Sequence, residues 1–258
     1  MLAKFEYLLV LLLLPTILFA QTWQAESGDQ QKAVLELFTS EGCGLCPAAD
    51  RWVHALPEKG ITDDHLIVLG FHIDYLNDKK GWVDRFASAD FSNRQRQLAR
   101  INLFQTVYTP EFFISGEVIH NWQKHAIDAV HAVGGFKPES TIDLSVTEQN
   151  NEWIINSQIT VQGAENRQYS QLYLAVIEDD IVSKVAAGDN AGKTYNHQNL
   201  VRKWMGPFAL ESSGITDFST TIKPDNSWNI NKVSLVAIVQ NLDDGYVLQG
   251  LALPLVDQ

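Results

Sequence analysis

Between Ala33 and Asp74 an apolar run, a turn, two cysteines three positions apart, a proline-led helix and a second apolar run follow one another. That order leaves few folds open. Ala33-Val34-Leu35-Glu36-Leu37-Phe38 reads as a buried strand. Thr39 to Gly42 forms a turn, and Cys43-Gly44-Leu45-Cys46 follows it. Pro47 opens a helix running through Leu56, because a missing N–H costs nothing in a first turn. Pro57 to Gly60 ends that helix, and Leu66 to Asp74 is the second strand. Strand, helix and strand at this spacing predict a βαβ unit, since parallel strands need a crossover of this length.

An aromatic and charged insert, Tyr75 to Phe86, comes next. Ser88 or Asp90 caps a polar helix, Phe91 to Ile101, whose Arg94, Arg96 and Arg100 read as a solvated face. Val107-Tyr108-Thr109-Pro110 leads into a short strand, Glu111 to Ile114, and a turn at Ser115-Gly116-Glu117. Trp122 to Val133 carries Ala126, Ile127, Val130 and Val133 at helical spacing. Gly134 to Pro138 marks a boundary. Beyond it the period switches to two, over segments 142–146, 153–161, 171–178, 232–240 and 246–255, as in an antiparallel sandwich. Gly188 to Met205 breaks the rhythm and reads as a long loop with a helical end. The expected architecture is an α/β domain over residues 31–136 followed by a mainly antiparallel, sandwich-like β domain over 138–258.

The first twenty residues bear on the compartment. Lys4 precedes the apolar run Leu8 to Leu14, and polar sequence begins at Gln21. The run is short for a membrane span, which needs about 20 residues, and suits a secretory signal cut after Ala20. A retained N-terminal anchor is the alternative. The expected mature chain is exported, periplasmic or secreted, with no membrane span after cleavage. Its net charge of -12 disfavours nucleic acid and anionic lipid as partners.

Two cysteines are too few for a disulfide scaffold, and their place between a buried strand and a helix start points to chemistry. The unpaired N–H groups and positive dipole end of that helix would stabilise a thiolate at Cys43. Cys46, one turn in, is placed to resolve a mixed disulfide formed at Cys43. A structural disulfide is the plainer alternative; so short a loop constrains the unfolded chain by only about 2 kcal/mol. A copper or zinc site on Cys43, Cys46 and His72 is a second alternative, since His72 ends the neighbouring strand. Glu36, a carboxyl in an apolar strand, is a candidate proton relay to Cys46. Thr109-Pro110 stands directly before a strand, where a cis bond would turn the chain and leave the Thr109 backbone free to pair with a substrate. No cofactor is expected. The expected partners are a protein or small-molecule disulfide and an external redox partner to recycle the pair.

Glu36-Leu37-Phe38-Thr39-Ser40-Glu41-Gly42-Cys43-Gly44-Leu45-Cys46-Pro47-Ala48-Ala49-Asp50 resembles the signature of a bacterial secreted, thioredoxin-like family known as domain of unknown function 1223. The resemblance extends through Phe71 to Tyr75, Gly81 to Phe86, Arg94-Gln95, Tyr108-Thr109-Pro110, Asn190-Ala191-Gly192, His197 and Val201-Arg202. It implies a thioredoxin-like fold, a cis bond before Pro110 facing the active cysteine, and Cys43 attacking with Cys46 resolving; a non-catalytic binding module that uses this fold only as a scaffold is the further alternative. Family members often carry small polar residues between the cysteines, where this chain has Gly44 and Leu45.

Overall fold

A computed structural model describes residues 21–79 and 81–256. The expected signal, residues 1–20, lies outside the described residues. The chain forms fourteen described strands and four α-helices, in the order β1 (Thr22–Glu26), β2 (Ala33–Thr39), α1 (Cys46–His54), β3 (Leu66–His72), α2 (Ala89–Ile101), β4 (Glu111–Ile114), β5 (Glu117–Val118) and α3 (Trp122–Gly134). There follow β6 (Ser140–Gln149), β7 (Glu152–Val161), α4 (Ala164–Tyr169), β8 (Ser170–Glu178), β9 (Ile181–Lys184), β10 (Thr194–His197), β11 (Leu200–Ala209), β12 (Ile215–Ile222), β13 (Val233–Asn241) and β14 (Val247–Pro254). No described helix is long and apolar enough to cross a membrane.

The two-domain expectation is overturned here. One eight-stranded mixed sheet runs β14-β13-β8-β11-β3-β2-β4-β5, so strands from both sides of Pro138 belong to a single hydrogen-bonded layer. Strand dominates, at 42% of the described residues against 20% helix. The molecule is therefore not a helix-flanked α/β thioredoxin domain followed by a separate β domain. The cause lies at the middle of the sheet. β3 pairs with β2 in parallel from Leu66 to His72, and its other edge would be left open. β11 closes that edge with a parallel bridge at Leu200↔Gly70, and Gly70 donates to Asn199 O at 2.9 Å. Gly70 permits the approach, because a Cβ there would stand only 3.3 Å from Asn199 O. Within Gly188–Met205 the loop runs over 188–193 only; β10 and the start of β11 follow as strand, and the expected helical end is absent.

A second sheet, β1-β6-β7-β12, is antiparallel throughout and packs on the β8, β13 and β14 end of the first. Trp23, Ile142, Trp153 and Ile159 meet Leu172, Leu174, Leu235 and Leu253 in that interface. At the opposite end, α1 and α3 lay Ala49, Val53, Ala126 and Val130 on Leu35, Leu37, Phe112 and Ile114. α2 covers the reverse face, where Phe91 and Leu98 meet Val34, Phe38 and Phe71. The alternation is the ordinary one for a strand, with odd and even residues on opposite faces. Ser88 caps α2 by accepting from the Asp90 N–H.

Alternation also decides the fate of Glu36. It points away from α1, into the α2 side, where Arg94 grips it with two hydrogen bonds of 2.6 and 2.7 Å. Both side chains are buried, and Arg94 reaches on to Gln240 Oε1 at 2.8 Å. Its guanidinium lies 4.7 Å from the Tyr173 ring and 5.0 Å from the Trp204 ring. Arg94 is thus not part of a solvated face; it is a core residue that joins β2, α2, β8, β11 and β13. Removing one partner of a buried pair leaves an uncompensated charge, so Arg94→Leu should cost about 3–5 kcal/mol of stability in urea unfolding. The double change Glu36→Leu with Arg94→Leu should recover part of that loss.

Candidate functional site

β2 delivers its last residue, Thr39, to the edge where α1 begins, and the turn between them presents the cysteines. Cys43 N–H donates to Ser40 O at 3.1 Å, and Cys46 N–H donates to Cys43 O at 3.2 Å. Pro47 stands in the first turn of α1, where its missing donor is harmless. Cys43 and Cys46 are joined as a disulfide with Cα atoms 5.4 Å apart. The two sulfurs differ in position: Cys46 is fully enclosed, whereas Cys43 keeps 7% exposure. Leu45 between them is 73% exposed.

Thr109 and Pro110 meet this pair. The bond between them is cis, and Thr109 O lies 3.6 Å from Cys43 Sγ. Gln95 holds the segment by donating to Tyr108 O at 2.8 Å and to Glu111 Oε2 at 2.6 Å. Cys43, Cys46, Thr109 and Pro110 therefore come together. Glu36 does not join them, since it faces the other side of the sheet. His72 lies on the α1 side, but its Nδ1 bonds to Asp84 Oδ2 at 2.7 Å. Among the described residues, no three of His, Cys, Asp and Glu come together in a metal-holding group.

The turn that carries the cysteines rests on residues the sequence did not single out as a unit. Glu41 is buried beneath it, bonded through Oε1 to His197 Nε2 at 2.9 Å and accepting from Trp82 Nε1 at 3.0 Å. Its own N–H donates to Asp84 Oδ2 at 2.8 Å. Asp84 thus links Glu41 to His72, and the His72 and His197 rings meet edge to face with centroids 4.9 Å apart. Asn190, fully buried, donates from Nδ2 to both Glu41 O and Cys43 O at 2.8 Å. Lys193 Nζ in turn donates to Asn190 Oδ1 at 2.7 Å. At Gly44 a Cβ would sit 3.0 Å from Asp189 Oδ2, so a larger residue there would make that exposed carboxylate give way.

The electrostatics follow these bonds. Burial works to raise the pKa of Glu41, but the hydrogen bonds from His197 and Ser183 outweigh it and leave the carboxyl below its usual range. Burial of Asp84 is likewise overcome, by the charge and hydrogen bond of His72, so Asp84 is also lowered. Burial lowers His72, yet Asp84 more than offsets it and the imidazole stays basic. His197 is lowered, because its burial exceeds the help Glu41 gives. Asp50, one turn after Cys46 on α1, accepts from Thr39 Oγ1 at 3.3 Å, and its burial pushes it up to about 6. Glu111 is raised to about 7 by burial, with Gln95 opposing weakly.

Two tests follow from this geometry. Asn190→Ala removes both hydrogen bonds to the cysteine turn and should cost about 1–3 kcal/mol in urea unfolding, with faster reduction of the disulfide by dithiothreitol. For Glu111 the native pKa exceeds the unfolded one, so the native state holds the extra proton and stability falls as pH rises from about 4.5 to about 7. Glu111→Gln should therefore gain roughly 3 kcal/mol over the parent above pH 7 and nothing below pH 4.5, read from urea midpoints across pH.

In the sequence, Tyr195 and His197 fall within a stretch read as a long loop, and Glu41 within the turn from Thr39 to Gly42. Their convergence depends on β10, which pairs antiparallel with β9 and sets Tyr195 and His197 with rings stacked 5.1 Å apart. The one sequence sign of it is that Asn190-Ala191-Gly192 and His197 belong to the same resemblance as the cysteine motif.

Comparison with known proteins agrees with this whole-chain architecture. The fold is similar to that of protein AGR_C_4864 from Agrobacterium tumefaciens, with a TM-score of 0.66 at 20% identity over 90% of this chain and 98% of that one. It is also similar to HBP35 of Porphyromonas gingivalis, with a TM-score of 0.68 at 16% identity over 89% of this chain and 76% of that one. No curated protein matches the sequence. The family model for a protein of unknown function, DUF1223, matches residues 34–240, which takes in the cysteine turn, Thr109-Pro110, Asn190 and His197, and the chain belongs to that family.

Proposed function

We propose that this chain is an exported thiol–disulfide oxidoreductase in which Cys43 attacks and Cys46 resolves. The observation that supports this most directly is the asymmetry of the pair. Cys43 is the less deeply buried residue of the two, its Sγ beside Thr109 O, while Cys46 is sealed at the head of α1. In the reduced state the first-turn N–H groups and dipole of α1 favour a thiolate at Cys43. That thiolate attacks one sulfur of a partner disulfide and expels the other as a thiolate, giving a mixed disulfide. Cys46, losing its proton, then attacks Cys43 Sγ and releases the partner's second sulfur, which takes up a proton. Two cysteines are thereby oxidised and one partner disulfide is reduced; run backwards, the same steps oxidise a dithiol. Exposed Leu45 and Tyr108 flank the pair as apolar ground for a partner. An external redox protein or small thiol recycles it, and export keeps it where a disulfide persists.

The test is the equilibrium potential of the Cys43–Cys46 pair in glutathione buffers. A value between about -120 and -270 mV is expected, the span of known exchange catalysts, whereas one well below about -300 mV would mark a structural clip and overturn the proposal. Cys43→Ser should abolish exchange, and Cys46→Ser should accumulate mixed disulfides visible on non-reducing gels.

A further inference from the structure

Behind the cysteine turn lies a cavity of about 430 Å³, enclosed by α1 on one side and by β3, β10 and the start of β11 on the other. Its floor is apolar, made by Leu37, Val68 and Leu200. Two polar groups face it without adequate partners. Tyr195 is only 9% exposed, and its hydroxyl has no hydrogen-bond partner among the described residues. Among the described residues Asp50 accepts a single hydrogen bond, from Thr39 at 3.3 Å, although a carboxylate offers about four acceptor sites. A buried polar group left unpaired costs about 1–3 kcal/mol, so two such groups on one cavity wall point to something that pairs with both. The volume far exceeds the roughly 30 Å³ of one water and falls in the range of small-molecule sites.

The sign of the missing partner can be read from its neighbours. The charges acting on the Tyr195 hydroxyl include those of Asp50, Glu41 and Asp84, all negative, opposed by Arg51 at the exposed rim, while Lys193, which also lines the cavity, is bound to Asn190 Oδ1. Glu41 faces a neutral His197, and Asp84 bonds a basic His72 whose charge, with that of Arg51, also acts on Asp50, so three buried carboxylates share one buried cation. Burial holds the Asp50 carboxyl at about 6, so it is ionised at pH 7.5 and gains from a positive charge brought beside it. An anionic ligand would meet the same groups as repulsion.

We propose that this cavity binds a primary ammonium group on a small apolar body, the ammonium donating to Asp50 and to Tyr195 Oη while the body lies on Leu37, Val68 and Leu200. The site is separate from the exchange chemistry and stands whether or not the cysteines turn over. Benzylamine, which has this chemistry and fits the volume, is the probe, titrated calorimetrically into the full chain at pH 7.5 with benzoate as the control of opposite charge. Saturable benzylamine binding is expected, with benzoate not bound. Asp50→Asn should weaken it at least about tenfold and Tyr195→Phe about fivefold. Arg51→Ala changes only an exposed residue and should tighten it about twofold by removing the opposing charge, so it carries the test even where a buried variant fails to fold. No saturation up to ~10 mM, equal or tighter binding of benzoate, an unaffected Asp50→Asn, or an Arg51→Ala that fails to tighten would each overturn the assignment and leave a water-filled cavity.

Discussion

A single parallel bridge between Leu200 and Gly70 carries more of this architecture than its size suggests, because everything that touches the cysteine turn from the far half of the chain hangs on it. A Cβ at position 70 would press to 3.3 Å on Asn199 O, so Gly70 eases the seating of β11 beside β3, and β10 leads directly into β11. Once that seam is closed, β8, β13 and β14 extend the sheet and present the surface on which the four-stranded sheet packs. The sandwich half and the cysteine half thus share one backbone hydrogen-bond network.

The buried ion pair of Glu36 and Arg94 works on the opposite face of the same seam. A guanidinium enclosed by a carboxylate, an amide oxygen and two aromatic rings meets the condition under which buried charge is tolerated, with its donors directed at acceptors. Its members come from β2, α2 and β13, so the pair also fixes which strands may lie over which helix.

Much of the first half was legible because each element advertises itself locally. Two apolar runs, Pro47 after the cysteines, Ser88 before α2 and the helical spacing of Ala126, Val130 and Val133 are short-range signals, and the structure places strands and helices there. The cysteine turn and Thr109-Pro110 stood out for the same reason. What escaped is non-local. The seam at Gly70 is one contact between residues 130 positions apart (200 − 70), and no periodicity announces it. β11 was hidden because Gly206 and Pro207 argue against a strand, whereas a bulge between Met205 and Phe208 accommodates them. Glu36 was visible as an odd acid in an apolar run, but its partner sits 58 positions away on a helix whose arginines look solvent-facing until the face is known.

Asn190 holds the backbone of Glu41 and Cys43 from about 150 residues further along the chain. In a polypeptide made from its N-terminus, the cysteine turn is therefore synthesised long before the side chain that braces it. Until that asparagine has emerged and β10 and β11 have found their places, the turn exists without its support, and Cys43 and Cys46 are held only by local chain geometry. The finished disulfide environment is a late product of folding, although the residues that define it come early in the sequence.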